Sequence, residues 1–107
     1  MSSKKKSGPP KAFIEFSKRF PKVAEAWELL GEGGSAGPLD DKTARLVKLG
    51  ISIANRSEGA THSAARKARS AGATADEIYQ VVALAASTIG LPNAVAAYTW
   101  IRDELDG

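Results

Sequence analysis

One short signature, Thr74-Ala75-Asp76-Glu77, constrains this chain more than any other stretch. A threonine followed three residues later by a glutamate, just before an apolar run, is a capping box. The hydroxyl and the carboxylate each satisfy an amide that the first helical turn leaves unpaired. The helix it starts carries Ile78, Val81, Val82, Ala83, Leu84, Ala85, Ala86 and Ile89, which is apolar nearly all round. Such a helix must be buried on several sides, in the middle of a bundle or at a subunit interface. Val81 and Val82 lie inside this capped pattern, and no other segment alternates with period two, so no strand is expected. The fold class that follows is all-α, a bundle of five or six helices with short loops.

The other helices are read by the same rules. Phe13, Phe16, Phe20, Val23, Trp27 and Leu30 recur at spacings of three and four, which predicts a helix from about Lys11 to Leu30. Pro21 either kinks that helix or splits it, because it lacks an amide and crowds the preceding turn. Gly31 to Gly37 reads as a flexible break. It is no phosphate loop, since no Lys-Ser/Thr follows it and no strand precedes it. Pro38-Leu39-Asp40-Asp41 starts a helix with carboxylates at the positive end of its dipole. That helix runs to about Asn55, with Leu46, Leu49 and Ile53 on its apolar face. Ser57 caps the next helix and Gly72 stops it. Gly90-Leu91-Pro92-Asn93 is a turn, and a last helix containing Val95, Tyr98, Trp100 and Ile101 runs to about Leu105.

Composition adds three limits. At 107 residues the chain fits one domain, read as a basic disordered tail over residues 1–10 and a helical domain over 11–107. Three Phe, two Tyr and two Trp are its only aromatics, and alanine makes up much of the apolar share, so a single-chain core is thin. Burial against identical copies would remedy that, and a homo-oligomer is expected. Cysteine is absent, which rules out disulfides and thiolate chemistry and fits a cytoplasmic location. No apolar run approaches the roughly 20 residues that span a bilayer. Lys4 to Lys6 lead into Ser7-Gly8-Pro9-Pro10, not into an apolar core, so no secretory signal is expected. The positive charge is concentrated there and in the first helix. Without interleaved aromatics these lysines read as a solvated tail, and no nucleic-acid partner is expected.

The chemistry, if any, belongs to the helix Ser57–Gly72, which holds His62, the only histidine. Ala60, Ala64, Ala68 and Ala71 fall on one face, where another helix can come close. Glu58, His62, Arg66 and Arg69 fall on another. A Glu58–His62 pair beside arginines is a base with its orienter plus an anchor for a substrate carboxylate. It is equally a solvated face with favourable charge pairs. His62 is thus a pocket residue, an interface residue or a plain surface histidine. Arg45 lies on an apolar helix and needs a partner, either a substrate carboxylate or Glu77 or Asp76 of the same fold. No cofactor or metal site is read from the sequence.

Residues 38–105 resemble the carboxymuconolactone decarboxylase family, which includes the AhpD-type alkylhydroperoxidases. The matching stretches are Leu39-Asp40-x-Lys42-Thr43-x-Arg45-Leu46-Val47-x-Leu49, Ile53-Ala54-Asn55-Arg56 and Ala71-Gly72-Ala73-Thr74-x-x-Glu77-Ile78, then an alanine-rich helix and Gly90-Leu91-Pro92. The resemblance implies an AhpD-like helical bundle assembled as a trimer or hexamer. The peroxidase members carry Cys-x-x-Cys-x-x-x-His where this chain has Ser57, Ala60 and Ala64, so thiol peroxidase activity is excluded. The decarboxylase members use a histidine at the place of Ala64. His62 lies two residues earlier, about 200° around the helix, and does not simply replace it. Two functions stay open. One is a cofactor-free decarboxylase or acid/base enzyme on a small carboxylated lactone, with His62 and Glu58 catalytic and Arg66 and Arg45 binding substrate. The other is a non-catalytic oligomeric small-molecule binder or scaffold that kept the fold.

Overall fold

The computed structural model of the chain describes residues 10–107, and the expected tail lies almost wholly outside the described residues. Six helices and no strand occur among the described residues: α1 Lys11–Arg19, α2 Pro21–Ser35, α3 Asp41–Ala54, α4 Glu58–Ser70, α5 Ala75–Ile89 and α6 Leu91–Asp106. They fall into two compact units divided after Pro38.

In the first unit, Pro21 splits the long helix predicted from Lys11. Phe20 leaves helical geometry (φ −129°, ψ 73°), and Pro21 opens α2 at a position where its missing amide costs nothing. The aromatic stripe holds the pair together locally. Phe13 meets Trp27 edge-on at 5.4 Å, and Phe16 lies 5.1 Å from Phe20. The glycine-rich stretch differs from expectation. Gly31 to Ser35 continue α2, and the chain leaves the helix only at Ala36. Glycine costs about 1 kcal/mol per helical position but does not forbid the helix, so an already nucleated helix propagates through it.

The second unit, residues 39–107, is built from α3 to α6, and its helix ends explain its sequence. Asp40 accepts the Thr43 amide at 2.7 Å and so caps α3, and Ser57 accepts the Ala60 amide at 3.3 Å to cap α4. The capping box is complete: the Thr74 amide donates to Glu77 at 2.8 Å, and the Glu77 amide to the Thr74 hydroxyl at 3.0 Å. At the end of α4, Gly72 takes φ +100° so that the Ala73 amide can turn back to the Ala68 carbonyl at 3.0 Å. Arg56 makes the same left-handed turn after α3 at φ 54°, a position that glycine fills more easily. The expected Gly90–Asn93 turn contracts to Gly90 alone, because Pro92 is accommodated in the first turn of α6.

The core of this unit draws Leu49 and Ile53 from α3, Ala65 and Ala68 from α4, Ile78 and Val82 from α5, and Ala94, Ala97 and Ile101 from α6. Half of its ten buried apolar residues are alanines, Ala73 included. The helices therefore approach closely but bury little area per residue. On α4 the buried stripe is Thr61, Ala65 and Ala68, not the Ala60–Ala64–Ala68–Ala71 face expected from spacing. Ala60 is exposed and Ala64 and Ala71 only half-buried, so the helix is rotated by about one residue from that expectation.

Candidate functional site

α4 and α6 pack against each other and bring three ionisable side chains together. Ser57 fixes the start of α4, which aligns Glu58, His62 and Arg66 one turn apart. From α6, Glu104 reaches across. Its Oε1 lies 3.0 Å from His62 Nδ1, and its Oε2 lies 3.5 Å from an Arg66 terminal nitrogen. Glu104 is only 7% exposed, while His62 and Arg66 keep about a quarter of their surfaces open, at 26% and 24%. A carboxylate buried to that degree needs its charge paired and its lone pairs filled; the guanidinium supplies the charge and the imidazole a hydrogen-bond contact.

Glu58 takes the other side of the ring, with Oε2 3.6 Å from His62 Nε2, and is mostly exposed. The predicted Glu58–His62 pair is thus present, but the buried partner that orients the imidazole is Glu104. With Glu104 accepting the Nδ1 proton, the neutral ring presents the Nε2 lone pair on the open side. The two carboxylates address opposite ring nitrogens, so they do not converge on one ion. Among the described residues, no group of three or more such side chains is arranged to hold a metal.

Arg45 is placed differently from expectation. It pairs with Asp41 on its own helix at 3.8 Å, and Glu77 is held instead by Lys42 at 3.0 Å. Position decides this: Lys42 and Asp41 lie in the first turn of α3, and Lys42 is the residue that reaches the start of α5. Together with the Thr74 amide, Lys42 holds the Glu77 carboxyl below the usual carboxylate range. Arg45 still contributes to a basic strip. Burial first, then the charges of Arg45, Lys48 and Arg66, push the Lys67 ammonium below its ordinary value. Arg69 closes the end of α4, donating to the Ala73 carbonyl at 3.3 Å.

Two residues of this region escaped the sequence reading. Glu104 continues the spacing Ala94, Ala97, Ile101, whose members are all buried, and that spacing was the available signal. Thr61, next to His62, is fully buried, and its hydroxyl has no hydrogen-bond partner among the described residues. The site lies apart from a groove of about 580 Å³ that runs between α3 and α5. His62, Glu104, Arg66 and Glu58 do not line it.

With this geometry in place, the chain can be compared with known proteins. Residues 21–103 match the family model described as the carboxymuconolactone decarboxylase family. Among solved structures, the chain is similar to a carboxymuconolactone decarboxylase family protein from Legionella pneumophila in its apo form. The TM-score is 0.79 at 20% identity, covering 89% of this chain and 86% of that one. At that identity the likeness speaks for the fold, an all-α architecture of the AhpD-like kind. No curated protein sequence matches significantly.

Proposed function

This chain belongs to the carboxymuconolactone decarboxylase family, and from that premise we propose that it is a cofactor-free acid/base enzyme acting on a small carboxylated lactone or a related acid. The observation that carries the reading is the Glu104–His62 contact at 3.0 Å, which presents an oriented imidazole at a half-open surface. His62 Nε2 moves the proton, Glu104 holds the ring, and Glu58 at the rim takes up or returns the proton. Arg66, with Arg45 further along the basic strip, supplies the positive field for the substrate carboxylate. In decarboxylation the carbon–carbon bond to the carboxylate breaks and its electron pair enters the conjugated carbonyl system of the lactone. Carbon dioxide leaves, and His62 Nε2, having taken a proton from water by way of Glu58, delivers it to carbon and returns to the neutral ring. Peroxide reduction through a thiolate is not available to a chain without cysteine.

The test is turnover of a panel of such lactones and acids by the wild type and by two variants. His62→Ala is expected to lower turnover on the order of 10²–10⁴-fold, the usual loss for a general acid/base. Arg66→Met is expected to raise KM more than it lowers kcat. Unchanged turnover of every substrate in His62→Ala would refute the reading.

A second reading is favoured by two observations. Ala64 stands where the family's histidine is expected, and Arg66 is already engaged by Glu104. Under it the protein is a non-catalytic small-molecule binder, and small carboxylates raise the melting temperature without being turned over. Under either reading we expect a cytoplasmic homo-oligomer, for which the thin alanine core is the support.

A further inference from the structure

We infer that α3 and α4 together bind a multiply charged phosphate group, the di- or triphosphate end of a small molecule, between Arg45, Lys48 and Lys67. This goes beyond the acid/base reading, since Lys48 and Lys67 have no part in that chemistry and Arg45 alone is shared. Charge is divided unevenly in the second unit. Residues 39–74, which hold α3 and α4, carry seven basic side chains and three acidic ones. Residues 75–107, which hold α5 and α6, carry one basic side chain and five acidic ones. The two helix pairs are thus of opposite sign, although the unit as a whole is neutral.

The basic groups are also gathered in space. Arg45 and Lys48 lie three residues apart on α3, which puts them on one face. α4 packs against α3 and adds Lys67, which is half-buried, while Lys48 is exposed. The charges of Arg45, Lys48 and Arg66 all bear on the Lys67 ammonium, and with its burial they hold it below its ordinary range. Like charges around a partly desolvated lysine oppose its charged form, and an anion placed among them removes that cost. Groups perturbed in this way cluster at functional sites.

The nearby carboxylates are committed elsewhere. Asp40 caps α3, and Glu58 faces His62. Asp41 lies 3.8 Å from Arg45, too long for a hydrogen bond, and is 76% exposed. On the acidic helix pair, Glu77 is held by Lys42, and Glu104 by His62 and Arg66. Residues 1–38 carry seven basic side chains against four acidic ones, so they add to the positive charge rather than offset it.

The ligand class follows from the number and kind of donors. Three cations exceed what one carboxylate neutralises, and a di- or triphosphate offers charge to each. A guanidinium takes two phosphate oxygens at once, and the two ammoniums add compact charges beside it. Nucleic acid fits less well. Residues 39–74 contain no Phe, Tyr or Trp on which bases could stack. Arg45 and Lys48 cover about one turn of α3, a compact cluster and not a track along a phosphate backbone.

The test is calorimetric titration of the full chain with inorganic tripolyphosphate at low salt. The wild type is expected to bind one equivalent. Lys67→Met and Lys48→Glu are each expected to weaken binding on the order of tenfold or more with helicity retained. Replacing Lys4, Lys5 and Lys6 together by serine is expected to leave the affinity unchanged. A wild type that does not bind would overturn the site, and so would binding that survives both the Lys67 and Lys48 variants. Loss of binding in the triple-serine variant would assign the anion to the lysine run instead. Equal affinity for citrate, a tricarboxylate, would overturn the phosphate class. A short DNA duplex that binds more tightly than tripolyphosphate and is lost in the same variants would assign the patch to nucleic acid. If Lys67→Met fails to fold, Lys48→Glu decides, because Lys48 is exposed. The titration reads no turnover, so its failure leaves the His62 chemistry standing.

Discussion

At the scale of single residues, the balance of the site turns on Glu104. It is the most buried charge of the α4–α6 contact, and two basic groups converge on it. Replacing it by alanine leaves His62 and Arg66 half-buried without their partner. The cost is about 2 kcal/mol, lowered from the fully buried case because both partners keep access to water. Urea unfolding measures it, and Glu104→Gln, which still accepts hydrogen bonds, is expected to lose less. Thr61 predicts a change of the opposite sign. Its hydroxyl is buried and has no partner among the described residues, so Thr61→Val removes a desolvated group at nearly constant volume. A gain of about 1 kcal/mol is expected from the same measurement. A loss would mean that the hydroxyl has a partner, such as a bound water.

These two residues also mark what was legible in the sequence. His62, Glu58 and Arg66 were found because helical spacing is periodic and local. Glu104 lies 42 residues from His62 along the chain, and no local pattern pairs the two helices. The partner of Arg45 was not legible for the same reason. The distance from Arg45 to α5 depends on how α3 sits against that helix, and the structure gives Glu77 to Lys42.

Among the secondary-structure elements, the caps were the most readable features, since a cap is chemistry between neighbours in sequence. The Thr74–Glu77 box, the Ser57 cap and the Gly72 stop all occur as expected. Thr74→Ala is expected to cost about 1 kcal/mol in thermal or urea unfolding. The box also sets a pH dependence. The Glu77 carboxyl is held below its ordinary value by the Thr74 amide first and by Lys42 after it. Its contribution to stability is therefore complete above the ordinary carboxylate range and is lost as pH falls through the lowered folded value. Stability measured across that acid range is expected to decline less steeply in Glu77→Gln than in the wild type. An unchanged acid limb would show that the carboxylate does not contribute through its ionised form. What local reading missed at this scale was extent. Gly31 to Ser35 are helical because propensity is a weak prior once a helix is nucleated. The buried stripe of α4 was off by one residue because alanines on two faces carry no size contrast to orient it.

For the whole molecule, the family fold was legible from the order of its helices and loops, and the structural likeness to the Legionella pneumophila protein agrees with it. What covers the exposed apolar residues of α3 and α5 was not. Large exposed apolar residues, among them Ile51, Leu84 and Leu30, belong to helical patterns that look the same whether a neighbouring helix or another copy covers them. The chemistry depends on a single imidazole in the entire chain, and that makes it directly observable. The nitrogen NMR spectrum of His62 reports which ring nitrogen carries the proton when the ring is neutral. An imidazole held by Glu104 and free to act through Nε2 shows the Nδ1-protonated tautomer, and Glu104→Gln shifts that balance. An Nε2-protonated ring, indifferent to Glu104→Gln, would contradict an acid/base site built on this pair.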